Sequence, residues 1–368
     1  MSARCPRLLV SLTPHGYGHA AMTAPLVEAL RRARPDLRLT LQTSIARDWL
    51  EGRYSQPFEL ITDTPDFGMA MDSAVAVLPE ASHRRYLALH DRLEAVVDAE
   101  AERMRALAFD LVLSNVSYVA LLAARRAGIP ALAMSCLNWH IIYGAYCRHL
   151  PGAEAVLEQM HEGYAGAQAF LRPAPSIPMP DLANARPIGP LARRGTPMRS
   201  RLRQEMGAGE GERIGLIAFG GMDMPLDFSR WPRLPGWKWL ISGDSQGHPD
   251  MVVREDVSMG FTDLLASCDL IIGKPGYGTF SEAGVNGVPM LYLPRPDWPE
   301  APHLCAWLET HGRAAPVGLS ELFDKASLNN QLQKLFSIEN KVLPLPSGIE
   351  DGVFALLKWL PPRGDMQK

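Results

Sequence analysis

The sequence lacks the marks of secreted, membrane-spanning and nucleic-acid-binding proteins. Its five cysteines are widely spaced with no Cys-x-x-Cys pair, which excludes the common zinc and dithiol motifs and fits a reducing compartment. No apolar run approaches the roughly 20 residues of a membrane span, and too few precede Pro14 for a signal peptide. With a net charge of -3, the sequence has no excess of basic residues that would bind nucleic acid. We therefore expect a cytoplasmic protein that binds no nucleic acid.

The length and composition indicate two folded domains. At 368 residues the chain exceeds what one hydrophobic core usually serves, since domains average about 100–200 residues. Hydrophobic residues make up 47% and charged residues 21%, values that are ordinary for globular proteins and unlike those of disordered chains. Each half should therefore fold around a core of its own.

Short apolar runs alternate with helical patterns in both halves of the chain. Because strands that alternate with helices form parallel sheets, this order predicts an α/β fold with Rossmann-like domains. The strands are predicted at residues 8–12, 37–43, 110–114, 213–219, 237–242 and 269–273.

A proline-rich stretch separates the two halves. Residues 173–198 contain seven prolines and little periodicity, which is typical of a linker. The predicted organisation is an N-terminal domain over residues 1–172, the linker over 173–198, a C-terminal domain over 199–348, and a helix and tail over 349–368. The arginines near the linker would suit a peripheral contact with an anionic membrane, and this alternative stays open.

The densest motif is the segment CDLIIGKPGYGTFSEAG at residues 268–284, where a strand runs into a glycine loop and then a helix. Gly276 and Gly278 let the backbone approach a ligand, and the helix opening near Thr279 points its N–H groups at the loop. This pattern predicts an anion site that suits a diphosphate. Glu282, one turn later, can accept hydrogen bonds from a ribose, or it can stabilise the helix N-terminus.

This segment resembles the donor-binding motif of the GT-B glycosyltransferases. The resemblance extends to the UDP-sugar glycosyltransferases, the peptidoglycan lipid-intermediate N-acetylglucosaminyltransferase and the N-terminal part of plant L-arabinokinases, whose motif is most similar to GKPGYGT at residues 273–279. It is strong over residues 259–317 and 8–30, and weaker over 56–104 and 143–173. It implies two Rossmann-like domains facing across a cleft, with the acceptor bound by the N-terminal domain and a nucleotide sugar by the C-terminal one.

The resemblance also implies a set of donor-binding residues. Phe261 falls on the segment that contacts the nucleobase, and Glu300 on the acidic residue that binds the donor sugar. The amide residue that usually follows is Ala301 here, which leaves the identity of the sugar open. Lys274 can add a point charge beside a diphosphate, and His303 a polar contact, although both residue types often face solvent. The predicted donor set is Gly220, Gly221, Met222, Gly260, Phe261, Lys274, Gly276, Gly278, Thr279, Glu282, Glu300 and His303.

A second glycine loop, His15-Gly16-Tyr17-Gly18-His19, follows the first predicted strand. Parallel α/β sheets bind ligands at this edge, and the loop resembles the acceptor side of GT-B enzymes. His19 falls on the general base of the inverting members, and His15 is expected to orient the loop. The alternative is that His19 only caps the helix or touches a phosphate. Asn115 stands where the family has an aspartate; it can fix the tautomer of the imidazole but cannot stabilise an imidazolium by charge.

These motifs predict a glycosyltransferase that moves a sugar from a nucleotide diphosphate sugar, such as a UDP-sugar, to the hydroxyl of a small-molecule or lipid acceptor. The resemblance implies inversion, and the absence of an Asp-x-Asp motif from the sequence predicts no metal and no cofactor besides the co-substrate. Two alternatives stay open. One is a nucleotide-sugar epimerase or hydrolase of the same fold, and the other is a non-catalytic subunit that binds a nucleotide sugar.

Overall fold

The computed structural model describes residues 4–54, 57–72, 76–219 and 226–362. The chain divides into two compact units, one formed by Met1–Leu191 with Ser347–Lys368 and the other by Ala192–Pro346. Each unit is built on one parallel sheet with helices, which confirms the predicted α/β class.

The described part of the first unit begins with seven strands and seven α-helices. The strands are β1 (Arg7–Leu12), β2 (Arg38–Gln42), β3 (Glu59–Ile61), β4 (Leu111–Asn115), β5 (Ala131–Met134), β6 (Ala169–Pro173) and β7 (Ala185–Ile188). The helices are α1 (Gly18–Ala33), α2 (Arg47–Glu51), α3 (Pro79–His90), α4 (Leu93–Ala106), α5 (Tyr118–Ala127), α6 (Trp139–Cys147) and α7 (Ala153–Ala165). The sheet order is β3-β2-β1-β4-β5-β6-β7, and every pair of neighbours is parallel.

The central strands of this sheet are apolar on both faces. Leu8, Leu9 and Val10 of β1 are fully buried, as a parallel sheet covered by helices on both sides requires. Helix α5 ends at Gly128, which adopts a left-handed φ of 72° that a glycine tolerates without strain. The strands predicted at residues 8–12, 37–43 and 110–114 thus form where their local patterns indicate.

The second unit contains six strands and six helices among its described residues. They are α8 (Arg199–Met206), β8 (Arg213–Ala218), β9 (Trp237–Ile241), β10 (Met251–Val253), α9 (Phe261–Ser267), β11 (Leu270–Gly273), α10 (Tyr277–Asn286), β12 (Met290–Tyr292), α11 (Ala301–His311), β13 (Ala314–Pro316), α12 (Leu319–Leu322) and α13 (Lys325–Ser337). The parallel sheet has the order β10-β9-β8-β11-β12-β13. Trp239 and Ile217 pack on one face of it, and Leu240 and Leu216 on the other, following the two-residue alternation of a strand.

The proline-rich stretch at 173–198 differs from the predicted linker, because its first part belongs to the first sheet. Strand β7 pairs with β6, and as an edge strand it accommodates Pro187, which has no N–H to donate. The division between the two units falls later, after Leu191. The chain finally returns to the first unit with helix α14 (Gly348–Leu357), which packs on α1 where Gly352 meets Leu26.

Candidate functional site

Both sheets have a point where the strand order reverses, and the predicted site residues follow the strands at these points. In the first unit the point lies between β1 and β4, where Leu12 pairs with Asn115. In the second unit it lies between β8 and β11, where Ala218 pairs with Gly273. Open α/β sheets bind ligands outside the carboxyl ends of the strands at such points. Each unit therefore has one favoured place for a ligand.

In the first unit the structure brings His19 and Asn115 together. Asn115 is the last residue of β4, and His19 lies in the first turn of α1. The Nδ1 atom of His19 lies 2.8 Å from Oδ1 of Asn115, and both side chains are buried. The sequence-based pairing of these two residues thus matches the geometry.

The orientation of the Asn115 amide sets the tautomer of His19. Its Nδ2 atom donates to Oγ1 of Thr23 at 2.8 Å and to the carbonyl oxygen of His19 at 3.2 Å, so Oδ1 is the atom that faces the ring. An amide oxygen only accepts, and the Nδ1 atom of His19 must therefore carry the proton. The neutral ring then has an unprotonated Nε2, which is the atom that can accept a proton from a ligand.

The surroundings of His19 favour the neutral ring. Burial lowers its pKa below the ordinary value, and the hydrogen bond to Asn115 opposes the shift without cancelling it. The buried Trp139 indole meets the His19 ring in an edge-to-face arrangement, with the two ring centroids 5.8 Å apart. Both the burial and the uncharged neighbours of His19 therefore favour its neutral form at pH 7.

The rest of the predicted glycine loop lies beside this pair. Gly16 has a left-handed φ of 70°, and both Gly16 and Gly18 are exposed with open space where a side chain would point. His15 lies at 5.1 Å from Trp139, and its ring packs so closely against Gly68 that a β-carbon there would lie 2.6 Å from Nδ1. The loop thus leaves room for a ligand near the start of α1.

The structure adds Asp66 to this region, a residue that sequence reasoning missed. Asp66 lies between β3 and α3, is only 4% exposed, and its Oδ2 atom accepts a hydrogen bond of 2.7 Å from Ser117. Ser117 caps α5 just after the end of β4. Burial raises the pKa of Asp66 to about 7, although Ser117 and the backbone N–H groups of Val119 and Tyr118 oppose the shift. No motif in the sequence signals this contact across 51 residues.

In the second unit, helix α10 begins at the predicted glycine loop. Gly273 is required at the end of β11, because a β-carbon there would lie 2.6 Å from the carbonyl oxygen of Ala218. Gly276 precedes the helix, no side chain caps it, and the exposed Gly278 has open space around it. The half-buried Thr279 lies in the same first turn. The N–H groups of this turn are therefore accessible to an anion.

Glu282 connects this helix to the predicted nucleobase segment. Its Oε1 atom accepts a hydrogen bond of 3.3 Å from Thr262, which follows Gly260 and Phe261 at the start of α9. The guanidinium of Arg254 lies over the Phe261 ring, 5.4 Å from its centroid. The fold thus places the start of α9 beside Glu282.

Lys274 and Arg295 supply positive charge at the same edge of the sheet. Lys274 follows β11 and is half-buried, while Arg295 follows the neighbouring strand β12. Burial and the adjacent Arg295 lower the pKa of Lys274 to about 8. A ligand with negative charge would relieve this repulsion.

Glu300 is more enclosed than its predicted role implies. It lies just before α11 and is only 7% exposed, and its Oε2 atom accepts a hydrogen bond of 3.1 Å from the Trp298 indole. The Arg295 guanidinium lies over the Trp298 ring at 4.6 Å. His303 lies in the first turn of α11, where its backbone N–H donates a hydrogen bond of 3.1 Å to the backbone carbonyl of Glu300. The predicted Gly220, Gly221 and Met222 fall outside the described residues.

Two further properties concern the described residues as a whole. In residues 4–54, 57–72, 76–219 and 226–362 no helix combines the length and apolarity needed to cross a bilayer. Over the same ranges, no three His, Cys, Asp or Glu side chains come together in a way that could hold a metal ion.

Comparisons with known proteins relate the chain to an L-arabinokinase by sequence and to glycosyltransferases by fold. No protein-family model matches it. It is 27% identical to an L-arabinokinase of Arabidopsis thaliana over 304 residues, which cover 81% of this chain and 29% of that protein. The chain thus spans less than a third of the length of this curated relative.

Solved structures of glycosyltransferases share the fold of the whole chain. The glycosyltransferase of kitacinnamycin has a TM-score of 0.62 at 17% identity, covering 98% of this chain and all of the other. An Arabidopsis thaliana enzyme, UGT89C1 complexed with UDP, has a TM-score of 0.55 at 13% identity, covering 95% of this chain and 99% of the other. These similarities show that the chain has the GT-B fold, as the motifs predict.

Proposed function

We propose that this protein is a glycosyltransferase that moves a sugar from a nucleotide diphosphate sugar to the hydroxyl of a small-molecule or lipid acceptor. The observation that carries the proposal is the His19–Asn115 pair at the reversal point of the first sheet. A neutral imidazole held through Nδ1 has its Nε2 available to accept a proton, as a general base must. The GT-B fold and the UDP bound to a structural neighbour support the donor class.

We assign donor binding to the second unit. The first turn of α10 can receive the diphosphate, with Lys274 and Arg295 adding positive charge at the same sheet edge. Glu282, beside the start of α9, is placed to accept hydrogen bonds from a ribose. Uridine and thymidine diphosphates are the nucleotides we expect. Glu300 and His303 are assigned to the sugar.

The proposed reaction is a single displacement that inverts the anomeric centre. The acceptor oxygen forms a bond to the anomeric carbon as the bond from that carbon to the diphosphate breaks, and the diphosphate leaves with the electron pair. Nε2 of His19 takes the acceptor proton. Because Lys274, Arg295 and the N–H groups of α10 can stabilise the departing charge, we propose that no metal ion is needed.

A product screen tests this function. Purified protein is incubated with UDP-glucose, UDP-N-acetylglucosamine and dTDP-glucose, each with and without a mixture of phenolic and alcoholic acceptors, and nucleotide and sugar products are quantified by mass spectrometry. Transfer predicts equal amounts of nucleotide diphosphate and glycoside, and only in the presence of acceptor. Acceptor-independent release of free sugar or of an epimer would instead identify a hydrolase or an epimerase.

A further inference from the structure

The amide of Asn115 lies in a pocket that offers hydrogen-bond acceptors to its nitrogen. Nδ2 lies 2.8 Å from Oγ1 of Thr23 and 3.2 Å from the carbonyl oxygen of His19. The Thr23 hydroxyl donates its own proton to that same carbonyl at 2.7 Å, so a lone pair of Thr23 faces the amide. Asn115 and Thr23 are fully buried. The pocket is thus complementary to an NH2 group.

A carboxylate at this position would fit poorly. Its second oxygen would replace Nδ2 and face the carbonyl oxygen of His19, so that two acceptors would lie opposite each other without a proton between them. Thr23 could donate to the carboxylate only by giving up its bond to His19. The pocket therefore selects an amide at position 115 over an acid.

An amide partner leaves the base without a counter-charge. Among the described residues, the side chain that hydrogen-bonds to the His19 ring is that of Asn115, and the aromatic ring that contacts it is that of Trp139. Both are neutral. Burial disfavours the imidazolium, and no carboxylate or cation among the described residues contributes to its titration. A buried imidazole of this kind is a weak base, since its protonated form gains no charge stabilisation from the pair.

We propose, on the basis of the proposed function, that the site takes an acceptor whose attacking oxygen ionises readily, a phenol or a carboxylic acid, rather than an aliphatic alcohol. Such an acceptor gives up its proton to His19 early, or has already lost it to water before binding. Its oxygen then attacks the anomeric carbon while the diphosphate leaves with the bonding pair. An aliphatic alcohol would need a base that holds the proton more strongly.

Initial rates with acceptors of graded acidity test this inference. With one donor that turns over, kcat/KM is measured for 4-nitrophenol, 4-methoxyphenol, benzoate and benzyl alcohol, which distinguish phenolic from carboxylic acceptors. At least one of the three acidic acceptors should exceed benzyl alcohol by about 100-fold or more. The loss on His19→Ala should be below about tenfold for 4-nitrophenol and larger for 4-methoxyphenol, because near neutral pH much of the former is already ionised and the latter is not. Benzyl alcohol reacting as fast as the acidic acceptors would overturn the inference and leave the glycosyltransferase function intact.

Nuclear magnetic resonance of histidine-labelled protein provides a second test, which needs no substrate and reports the protonation state of His19. His19 should be neutral at pH 7 with its proton on Nδ1, and Asn115→Asp should disturb this signal more than Thr23→Ser, which keeps the hydroxyl. A charged His19 at pH 7, or a neutral ring protonated on Nε2, would overturn the inference whatever the rates show. A neutral Nδ1–H ring together with no turnover of any donor would overturn the proposed function, and the inference with it.

Discussion

The Nδ1 atom of His19 lies 2.8 Å from Oδ1 of Asn115, although the two residues are 96 positions apart in the chain. The parallel pairing of β1 with β4 makes the two residues neighbours, since Asn115 ends β4 and His19 lies shortly after the end of β1. The contact joins an imidazole to an amide, and the hydrogen bonds of that amide determine which ring nitrogen is left to act. The general-base role that we propose for His19 depends on this arrangement.

Replacing the amide by an acid should destabilise the protein. Asn115→Asp is expected to lower the free energy of unfolding by about 1–3 kcal/mol at pH 7, because a buried acceptor would replace the donor that faces Thr23 and the His19 carbonyl. Urea unfolding followed by circular dichroism measures the change. The exposed Asn340→Asp is the matched control and should be within error of wild type. An Asn115→Asp protein as stable as the wild type would show that the pocket does not select an amide.

Asp66 should make stability depend on pH. Its pKa is about 7 in the folded protein against an ordinary 3.8, so from about pH 4 to pH 7 the unfolded chain is ionised while the folded protein is not. Asp66 therefore lowers the stability of the wild type as pH rises through this window, and Asp66→Asn lacks this contribution. The difference between the two free energies of unfolding should grow in favour of Asp66→Asn by about 1.4 kcal/mol per pH unit, and level off above pH 7. The exposed Asp256→Asn serves as control, and parallel pH profiles for Asp66→Asn and wild type would refute the assignment.

Lys274 should make nucleotide affinity fall at alkaline pH. Its pKa in the free protein is about 8, and a bound diphosphate would raise it. Titration calorimetry with UDP should show constant affinity from pH 7 to 8 and a fall of up to about tenfold per pH unit above that. Lys274→Arg should remove the fall, and Lys274→Met should bind weakly throughout. The exposed Lys341→Ala should behave as wild type, and unchanged UDP affinity in Lys274→Met would place the diphosphate elsewhere.

Glu282 should contribute directly to nucleotide binding. Glu282→Ala is expected to lower the affinity for UDP by about tenfold or more, the effect of losing charge-assisted hydrogen bonds to a ligand. The control Thr262→Val removes only the hydrogen bond that joins α9 to α10. Equal losses in the two variants would mean that Glu282 acts by holding the helices together. No loss in Glu282→Ala or Thr279→Ala would show that the site is wrongly assigned.

Local patterns in the sequence predict the parts of the site that depend on neighbouring residues. The strand, glycine loop and helix around residues 268–284 fold as expected, because apolar runs, glycines and helix starts act over short distances. The pairing of His19 with Asn115 is implied by the resemblance to GT-B enzymes, and in the structure it arises because Asn115 ends β4 while His19 follows β1 of the same parallel sheet. Helix α10 could therefore be anticipated from local patterns, and the His19–Asn115 contact from the family resemblance.

The remaining features depend on tertiary packing. Thr23 lies on the buried face of α1, where a threonine is indistinguishable in sequence from a core residue, and only the fold shows its bond to Asn115. Asp66 lies in a segment without periodicity and meets Ser117 only through the sheet. Strand β7 could not be predicted from the sequence because it contains Pro187, which an edge strand tolerates and a central strand does not.

The measurement that tests the account most directly is the turnover of His19→Ala. Donor affinity is measured by calorimetry and glycoside formation by mass spectrometry, with 4-methoxyphenol or whichever weakly acidic acceptor the wild type uses. Removing a general base typically costs about 100- to 10,000-fold in rate while leaving binding largely intact. The account predicts wild-type donor affinity and a rate at least about 100-fold lower, with the exposed His149→Ala unaffected. Near-wild-type turnover in a folded His19→Ala protein would contradict it.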